Sequence, residues 1–389
     1  MNPPKTKKLK TVPLPSILLY LIISLLGAWR VWRCLHGFFP NSSLPVYAGI
    51  YLLLCALLPV SVLLPRTTFA KRLEWVGSYW TCFQLTFCFA AILDFISEKV
   101  ISDWLHLVGK PHYPLVSLVI LLFTAGITLH GAIHAKKLHR TEYACRISKS
   151  LESDPLRIVQ ISDLHIGAIN DAKCIRKVVA EVNTCLPDIV CITGDTFSSG
   201  LQNAVEVDQI IAELQGIRSK YGVYACLGNH DYYSDMAAAE RFFQQAHIKL
   251  LRDEAIQVAG VTLVGREDAT PEGKPRPERK TMAALLQGIN TDDPIIVLDH
   301  QPGDLTQEMN CGVDLVLSGH THAGQFFPVQ LFSRFFFPHN YGYKKFGQMH
   351  SIVTSGATAA IPPIRIGSRA EIVYITLQGF EKEEVFRRA

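Results

Sequence analysis

Two patterns of apolar positions divide this chain. Up to about residue 135, apolar residues run almost without interruption in four stretches, Leu14–Cys34, Leu44–Leu64, Val76–Ile96 and Tyr113–Ile133. Each is near the ~20 residues that cross a bilayer as a helix. Trp29, Trp32, Tyr47, Trp75, Trp80 and Tyr113 stand near their ends, where aromatic side chains favour the membrane–water boundary. From Leu156 onward the runs are short and alternate in kind. Leu156–Ser162, Asp188–Thr193 and Gly222–Leu227 are nearly continuously apolar, as strands buried on both faces are. Asp171–Cys185, Ala204–Arg218 and Asp235–Ala246 carry helical patterns between them. Ile256–Val258 and Val261–Gly265 read as a hairpin, and Ile295–Leu298, Val313–Ser318, Ser351–Thr354 and Glu371–Leu377 as further strands.

Alternating strand and helix units followed by β-rich sequence predict an α/β sandwich. The expected organisation is a membrane domain over residues 1–139 with about four transmembrane helices, a linker over 140–155 and an α/β domain over 156–389. Basic residues give the membrane part a direction. Lys5, Lys7, Lys8, Lys10, Arg66, Lys71, Arg72 and the cluster Lys136, Lys137, Arg140, Arg146 and Lys149 fall on one side of such a bundle; Arg30, Arg33, Lys99 and Lys110 fall on the other. The richer side is expected in the cytoplasm, which places the α/β domain there. A cleaved signal peptide is disfavoured, because no small-residue cleavage site follows the first run.

The remaining composition narrows the partners. A net charge of only +4 gives no reason to expect nucleic acid. Ten cysteines without a CxxC pair suggest free thiols rather than a disulfide framework. His130 with His134 in the fourth apolar stretch read as contacts to headgroups or neighbouring helices rather than as a metal site, while Gln84 and Asp94 in the third are ambiguous between a functional role and such contacts.

Chemistry concentrates just after the predicted strands of the second half, where loops at carboxyl ends of strands converge. Asp163 and His165, two apart, point the same way and can reach one ion. Asp195 follows Gly194 after an apolar run; its two oxygens could join two ions, while a helix N-cap is the ordinary alternative for Gly-Asp. Asn229 offers a neutral oxygen. His230 beside it can protonate a leaving oxygen near neutral pH. His300 ends a strand, and His320 and His322 repeat the two-apart spacing. Carboxylate, amide and imidazole donors without thiolates suit Mn²⁺, Fe²⁺ or Zn²⁺. They suffice for two ions, an apparatus for hydrolysing phosphate esters.

The ordered segments Asp163-Leu164-His165, Gly194-Asp195, Gly228-Asn229-His230-Asp231, His300 and Gly319-His320-Thr321-His322 resemble the motifs of the calcineurin-like metallophosphoesterase superfamily. Ala323-Gly324-Gln325, and the stretch from Ser355-Gly356 through Pro363-Ile364-Arg365 to Glu371-Ile372, resemble the branch of bacterial phosphoesterases carried behind transmembrane segments, with Ala323 where that branch usually has Gly. The resemblance covers about Leu156 to Leu377. It implies a four-layer αββα sandwich and a metal-dependent phosphoric ester hydrolase of the bacterial inner membrane. It also implies Asp163, His165 and His322 on one ion, Asn229, His300 and His320 on the other, Asp195 shared, and His230 as the acid for the leaving group. The ions implied are Mn²⁺ first, with Fe or Zn as alternatives, and attack on phosphorus by a hydroxide between them. Many members carry a second Asp three residues beyond the shared one. Ser198 stands there in this chain, which leaves His230 to be supported by Asp231 or to act less strongly.

Substrate signals are fewer. Phe326–Phe346 is dense in aromatics, with Arg334, Lys344 and Lys345 interleaved. It reads either as an amphipathic lip touching membrane or acyl chains or as a loop burying its own aromatics. Arg365 either grips a phosphate or forms a structural salt bridge. The expected partners are a phosphoester, lipid-linked in one reading, and the bilayer; the oligomeric state is left open. A narrower alternative is a UDP-2,3-diacylglucosamine pyrophosphatase-like step in lipid A synthesis. An alternative of another class is a non-catalytic membrane scaffold with a vestigial phosphoesterase fold, against which the complete ligand set argues.

Overall fold

Each apolar stretch of the first half forms a helix: α1 (Leu14–Phe38), α2 (Leu44–Leu63), α3 (Thr68–Trp104) and α4 (Pro114–His134). The computed structural model describes residues 14–64, 67–104, 114–269, 278–337 and 339–380. Lys5, Lys7, Lys8, Lys10, Arg66, Lys110 and Tyr113, and the side chain of Asp94, lie outside the described residues. The chain divides into two compact units, Met1–Leu129 and His130–Ala389.

The first unit buries several polar side chains and exposes many apolar ones. Ser61, Ser78 and Gln84 are fully buried, whereas Leu25 is 67% and Leu52 64% exposed. Gln84 Nε2 donates to Ser24 Oγ at 3.3 Å and Tyr51 Oη at 3.2 Å, and lies 3.1 Å from Cys55 Sγ. It thereby ties α1, α2 and α3 together, so Gln84 contacts neighbouring helices. Among the described residues, one window, Leu44–Ser61 in α2, is long and apolar enough to cross a membrane; Leu118–His134 is a shorter apolar helix. This narrows the expectation of four equivalent spans. Arg30 and Arg33 within α1, and the charged ends of the 37-residue α3, dilute those helices. His130 and His134 stack at 5.9 Å between ring centroids and belong to none of the ligand clusters found among the described residues.

In the second unit the strands are β1 (Leu138–Arg146), β2 (Leu156–Ile161), β3 (Ile189–Thr193), β4 (Val223–Cys226), β5 (Ile248–Leu250), β6 (Glu254–Val258), β7 (Val261–Gly265), β8 (Ile295–Leu298), β9 (Leu315–Ser318), β10 (Gly342–Phe346), β11 (Met349–Val353) and β12 (Ala370–Gln378). They form two mixed six-stranded sheets, ordered β1-β12-β2-β3-β4-β5 and β10-β11-β9-β8-β7-β6. The helices are α5 (Ala172–Thr184), α6 (Val207–Gln215), α7 (Met236–Gln245), α8 (Met282–Leu285), α9 (Thr306–Asn310) and α10 (Val329–Phe336). Asp171 and Asp235 cap α5 and α7, accepting from the backbone N–H of Cys174 and Ala238, as N-cap carboxylates do.

Alternation along the strands sorts side chains into layers. Ile158, Ile189 and Cys191 meet Leu263, Ile296 and Leu317 between the sheets. Val159, Ile161 and Ile192 face α5, α6 and α7, and Val264, Val297 and Val316 face α8. Cys191 and Cys226 are fully buried free thiols packed as small hydrophobes. The expected linker is corrected: most of its first half is strand β1, paired in parallel with β12 from Leu138↔Ala370 to Arg146↔Gln378. Its sequence LHRTEYACR buries only Cys145, so this edge strand carries almost no apolar signal. The segment Phe326–Phe346 holds α10 and the edge strand β10.

Candidate metal centre

Strands β2, β3 and β4 run parallel in one sheet, and β8, β9 and β11 in the other. Their carboxyl ends deliver the candidate residues: Asp163 and His165 after β2, Asp195 after β3, Asn229 and His230 after β4, His300 after β8, His320 and His322 after β9. The backbone there is unusual. Asp163, His165, Asp195, His320 and His322 all have positive φ, between 41° and 70°, a region non-glycine residues enter at a cost. Such strain persists where surrounding contacts over-determine it and gathers at functional sites. Thr358 Oγ1 is one such contact, 2.9 Å from the carbonyl oxygens of both Asp163 and Leu164. Two glycines leave room: a Cβ on Gly228 would overlap Asp195 Oδ1, and one on Gly319 would overlap Ser162 Oγ and Asp163 Oδ2.

The side chains converge. His165 Nε2 lies 3.0 Å from His322 Nε2, and His322 Nε2 lies 3.4 Å from Asp163 Oδ1. Across the site, His320 Nδ1 lies 2.9 Å from Asn229 Oδ1. Asp195 sits between: Oδ2 is 3.8 Å from His165 Nε2 and 3.3 Å from His300 Nε2. Its Oδ1 accepts from the His230 backbone N–H at 2.8 Å. Three potential ligand groups emerge, Asp163–His165–His322, His165–Asp195–His230 and Asp195–His300–His320, and Asp195 belongs to two of them. Asp163, His165, Asp195, Asn229, His300 and His322 are buried; His230 and His320 are partly exposed and form the mouth.

The protonation states suit cation binding. Burial lowers His165 to about 3 and His320 to about 4, and drives His322 well below the ordinary imidazole value. These rings are neutral at pH 7, with a lone pair free for a metal. Burial pushes Asp163 up to about 6. Burial acts upward on Asp195 too, but His300 beside it, with His230 and His165, holds it well below the carboxylate range. His300 is its complement, held well above the usual range by Asp195 against the effect of burial. His300 Nε2 is fully buried and lacks hydrogen-bond geometry to any described acceptor. Convergent oxygen and imidazole donors without thiolate, and this under-satisfied nitrogen, fit a pair of divalent cations.

Three open alternatives are decided. The Gly-Asp turn is no helix cap: Asp195 has φ 50° and the next helical turn begins at Leu201. His230 leans neither on Asp231 nor on a Ser198 hydroxyl; its Nδ1 meets the Ser198 backbone carbonyl at 2.5 Å. Asp231 instead accepts from the N–H groups of Phe197 and Gly228, both at 2.9 Å, fixing two ligand loops. Arg365 neither faces substrate nor forms a salt bridge to a described carboxylate. It is fully buried and donates to the carbonyls of Ser355, at 2.7 Å, and Thr358, while lying 3.4 Å from His322 Nδ1. Thr358 carried no signal in the sequence, because its role exists only once a distant loop folds over β2.

Comparison with known proteins agrees with this geometry. The family described as calcineurin-like phosphoesterase matches residues 156–324. An uncharacterized metallophosphoesterase of Aquifex aeolicus is 30% identical over 242 residues, covering 61% of this chain and 91% of that protein. A metallophosphoesterase of Helicobacter pylori, also named uncharacterized, is 30% identical over 57% of this chain and 60% of its own length. A Danio rerio protein named transmembrane protein with metallophosphoesterase domain is 29% identical over 67% of this chain and 62% of its own length. The chain therefore spans about three-fifths of the last two. A buried carboxylate between two donor sets, together with the family match and the Aquifex aeolicus relative covered to 91%, leads to one assignment: this chain belongs to the calcineurin-like metallophosphoesterase family.

Proposed function

We propose that this protein is a membrane-associated, metal-dependent hydrolase of phosphoesters. The observation that carries the reading is Asp195, whose Oδ2 stands 3.8 Å from His165 in one donor set and 3.3 Å from His300 in the other. Asp163, His165 and His322 would hold one ion and Asn229, His300 and His320 the second, with Asp195 shared. Mn²⁺ is the preferred occupant, with Fe or Zn as alternatives. The pair would supply Lewis acidity and a nucleophilic water at neutral pH.

The chain's own residues do the rest. The Ser198 carbonyl accepts from His230 Nδ1–H, which fixes the ring and leaves Nε2 as the atom that would deliver a proton to the leaving oxygen. Asp231, through Phe197 and Gly228, holds the loops bearing Asp195 and His230 in register.

The membrane part of the proposal rests on the buried polar and exposed apolar side chains of the first unit, on α2, and on relatives named transmembrane protein with metallophosphoesterase domain. We take the helical part, through α4, as a multi-pass anchor, with the metal centre on the cytoplasmic side by the Lys and Arg distribution. A phosphoester displayed by a lipid is the favoured substrate. An alkaline phosphatase fused after His134 should be inactive; strong activity there reverses the orientation.

The central test uses the full chain in detergent, loaded with Mn²⁺ and given bis-p-nitrophenyl phosphate. Hydrolysis should depend on metal, and Asp195→Asn should lose both bound metal and at least roughly 10²–10³ of the rate. Full activity in that variant removes the two-ion reading.

A further inference from the structure

Helix α10 reverses the usual arrangement of a surface helix. Its polar Gln330 and Ser333 face the protein: Gln330 Nε2 donates to the Ile366 carbonyl at 3.1 Å, and Ser333 Oγ accepts from Asn340 Nδ2 at 3.2 Å. Its apolar residues face out. Leu331 and Phe332 are 51% and 58% exposed, and Phe335 and Phe336 reach 85% and 75%. No residue of α10 is buried. A soluble helix places its apolar stripe inward, and a contiguous apolar patch marks a docking surface. Phe326, ahead of the helix, is buried, but the aromatics of α10 itself do not follow the reading of this segment as a loop burying its own aromatics.

What covers the patch is indicated by its chemistry and by the chain that carries it. Arg334 lies within the helix, and exposed Lys344 and Lys345 follow in β10, so the segment interleaves cations with its aromatics. Exposed tyrosines 341 and 343 add amphipathic rings. Exposed aromatics interleaved with cations match the headgroup boundary of a bilayer. The same polypeptide contains α2, apolar and long enough to cross a membrane, and only residues 135–137 separate apolar helix α4 from β1. The catalytic unit is thus covalently held within reach of any membrane that its first unit enters. The patch is also next to the chemistry: Phe337, which ends α10, packs its ring 5.4 Å from that of His320. A cavity of about 740 Å³ runs from Phe336 and Phe337 to Asp299 and Gln301, which bracket His300.

We propose that α10 is an interfacial helix that seats the mouth of the metal centre on a phospholipid surface, so that the phosphoester is taken from the bilayer rather than from solution. The seating stands on the exposed face alone; the substrate half rests on the hydrolase reading above.

The test reconstitutes the full chain in vesicles of phosphatidylcholine doped with phosphatidylglycerol, with a photoreactive diazirine phenylalanine in place of Phe335. Illumination should yield protein–lipid adducts, with or without bound metal. The same probe in place of Leu186, 72% exposed elsewhere in this unit, should yield none. Protein–protein adducts at position 335, or solvent adducts alone, overturn the seating. Joint Phe332→Glu and Phe335→Glu substitution should cut the ratio of turnover on a vesicle-borne phosphoester to turnover on soluble bis-p-nitrophenyl phosphate about tenfold. An equal fall on both substrates overturns the substrate half. A parent chain that hydrolyses neither, yet still forms lipid adducts, refutes the hydrolase reading and leaves the seating intact.

Discussion

Helix α5 sets Ile175, Val178, Val179 and Val182 against the first sheet, whereas α10 turns Leu331, Phe332, Phe335 and Phe336 away from the second. Both are amphipathic and both belong to the same unit. They differ in which medium their apolar faces meet. The helical first unit follows the rule of α10: Gln84 and Ser61 are inside and Leu25 and Leu52 outside. The lesson is that amphipathicity fixes that a helix has two faces, but not which one points inward. That choice is made by the surroundings, and one element of an otherwise ordinary α/β unit makes it in the manner of a membrane helix. The α/β interior breaks its own rule most densely at the metal centre, where Asp163, Asp195, Asp231 and His300 are buried together.

Several measurements would break or sharpen this contrast. The buried polar exception should show the largest effect. His230→Ala is expected to lower turnover of esters with poor leaving groups by roughly 10²–10⁴ with metal content unchanged, measured by steady-state kinetics beside elemental analysis. Loss of metal in that variant would make His230 a ligand rather than an acid. Next comes the ordinary interior: Ile175→Ala should destabilise the α/β unit by about 2–5 kcal/mol, read from denaturant unfolding. The titration of the centre follows. Asp163 is protonated below about 6 before metal binds, and His300 carries a proton above its usual range. Metal must displace these protons, so apparent affinity should rise with pH through 6, by about tenfold per pH unit for each proton released. Calorimetry in buffers of different ionisation enthalpy reports that release; a flat profile would mean the two groups are already deprotonated. The smallest effect is expected at α10. Phe335→Ala should change stability in detergent by no more than about 0.5 kcal/mol, whereas a loss comparable with that of Ile175→Ala would show that α10 packs inward.

The elements differed in how far the sequence revealed them. The strands preceding the ligands were legible because they are buried on both faces, and Ile189–Thr193 is apolar at nearly every position. The starts of α5 and α7 were legible because Asp171 and Asp235 cap them. Strand β1 was not, because an edge strand reading LHRTEYACR needs only backbone pairing with β12, some 230 residues later. Arg365 looked like a phosphate ligand, since a guanidinium suits anions. It is spent instead on carbonyls of the loop behind His322.

The sequence by itself determined the chemistry: which donors exist, that none is a thiolate, that each follows a strand, and that the family motif is complete apart from Ser198. Those are local properties, carried by residue type and spacing. The tertiary structure decided the rest: that Asp195 stands between two donor sets, that a backbone carbonyl replaces the missing carboxylate behind His230, and that the aromatics of α10 face outward. Each of these joins segments far apart in the chain, and the energy of a contact depends on a distance in space that no spacing along the sequence specifies.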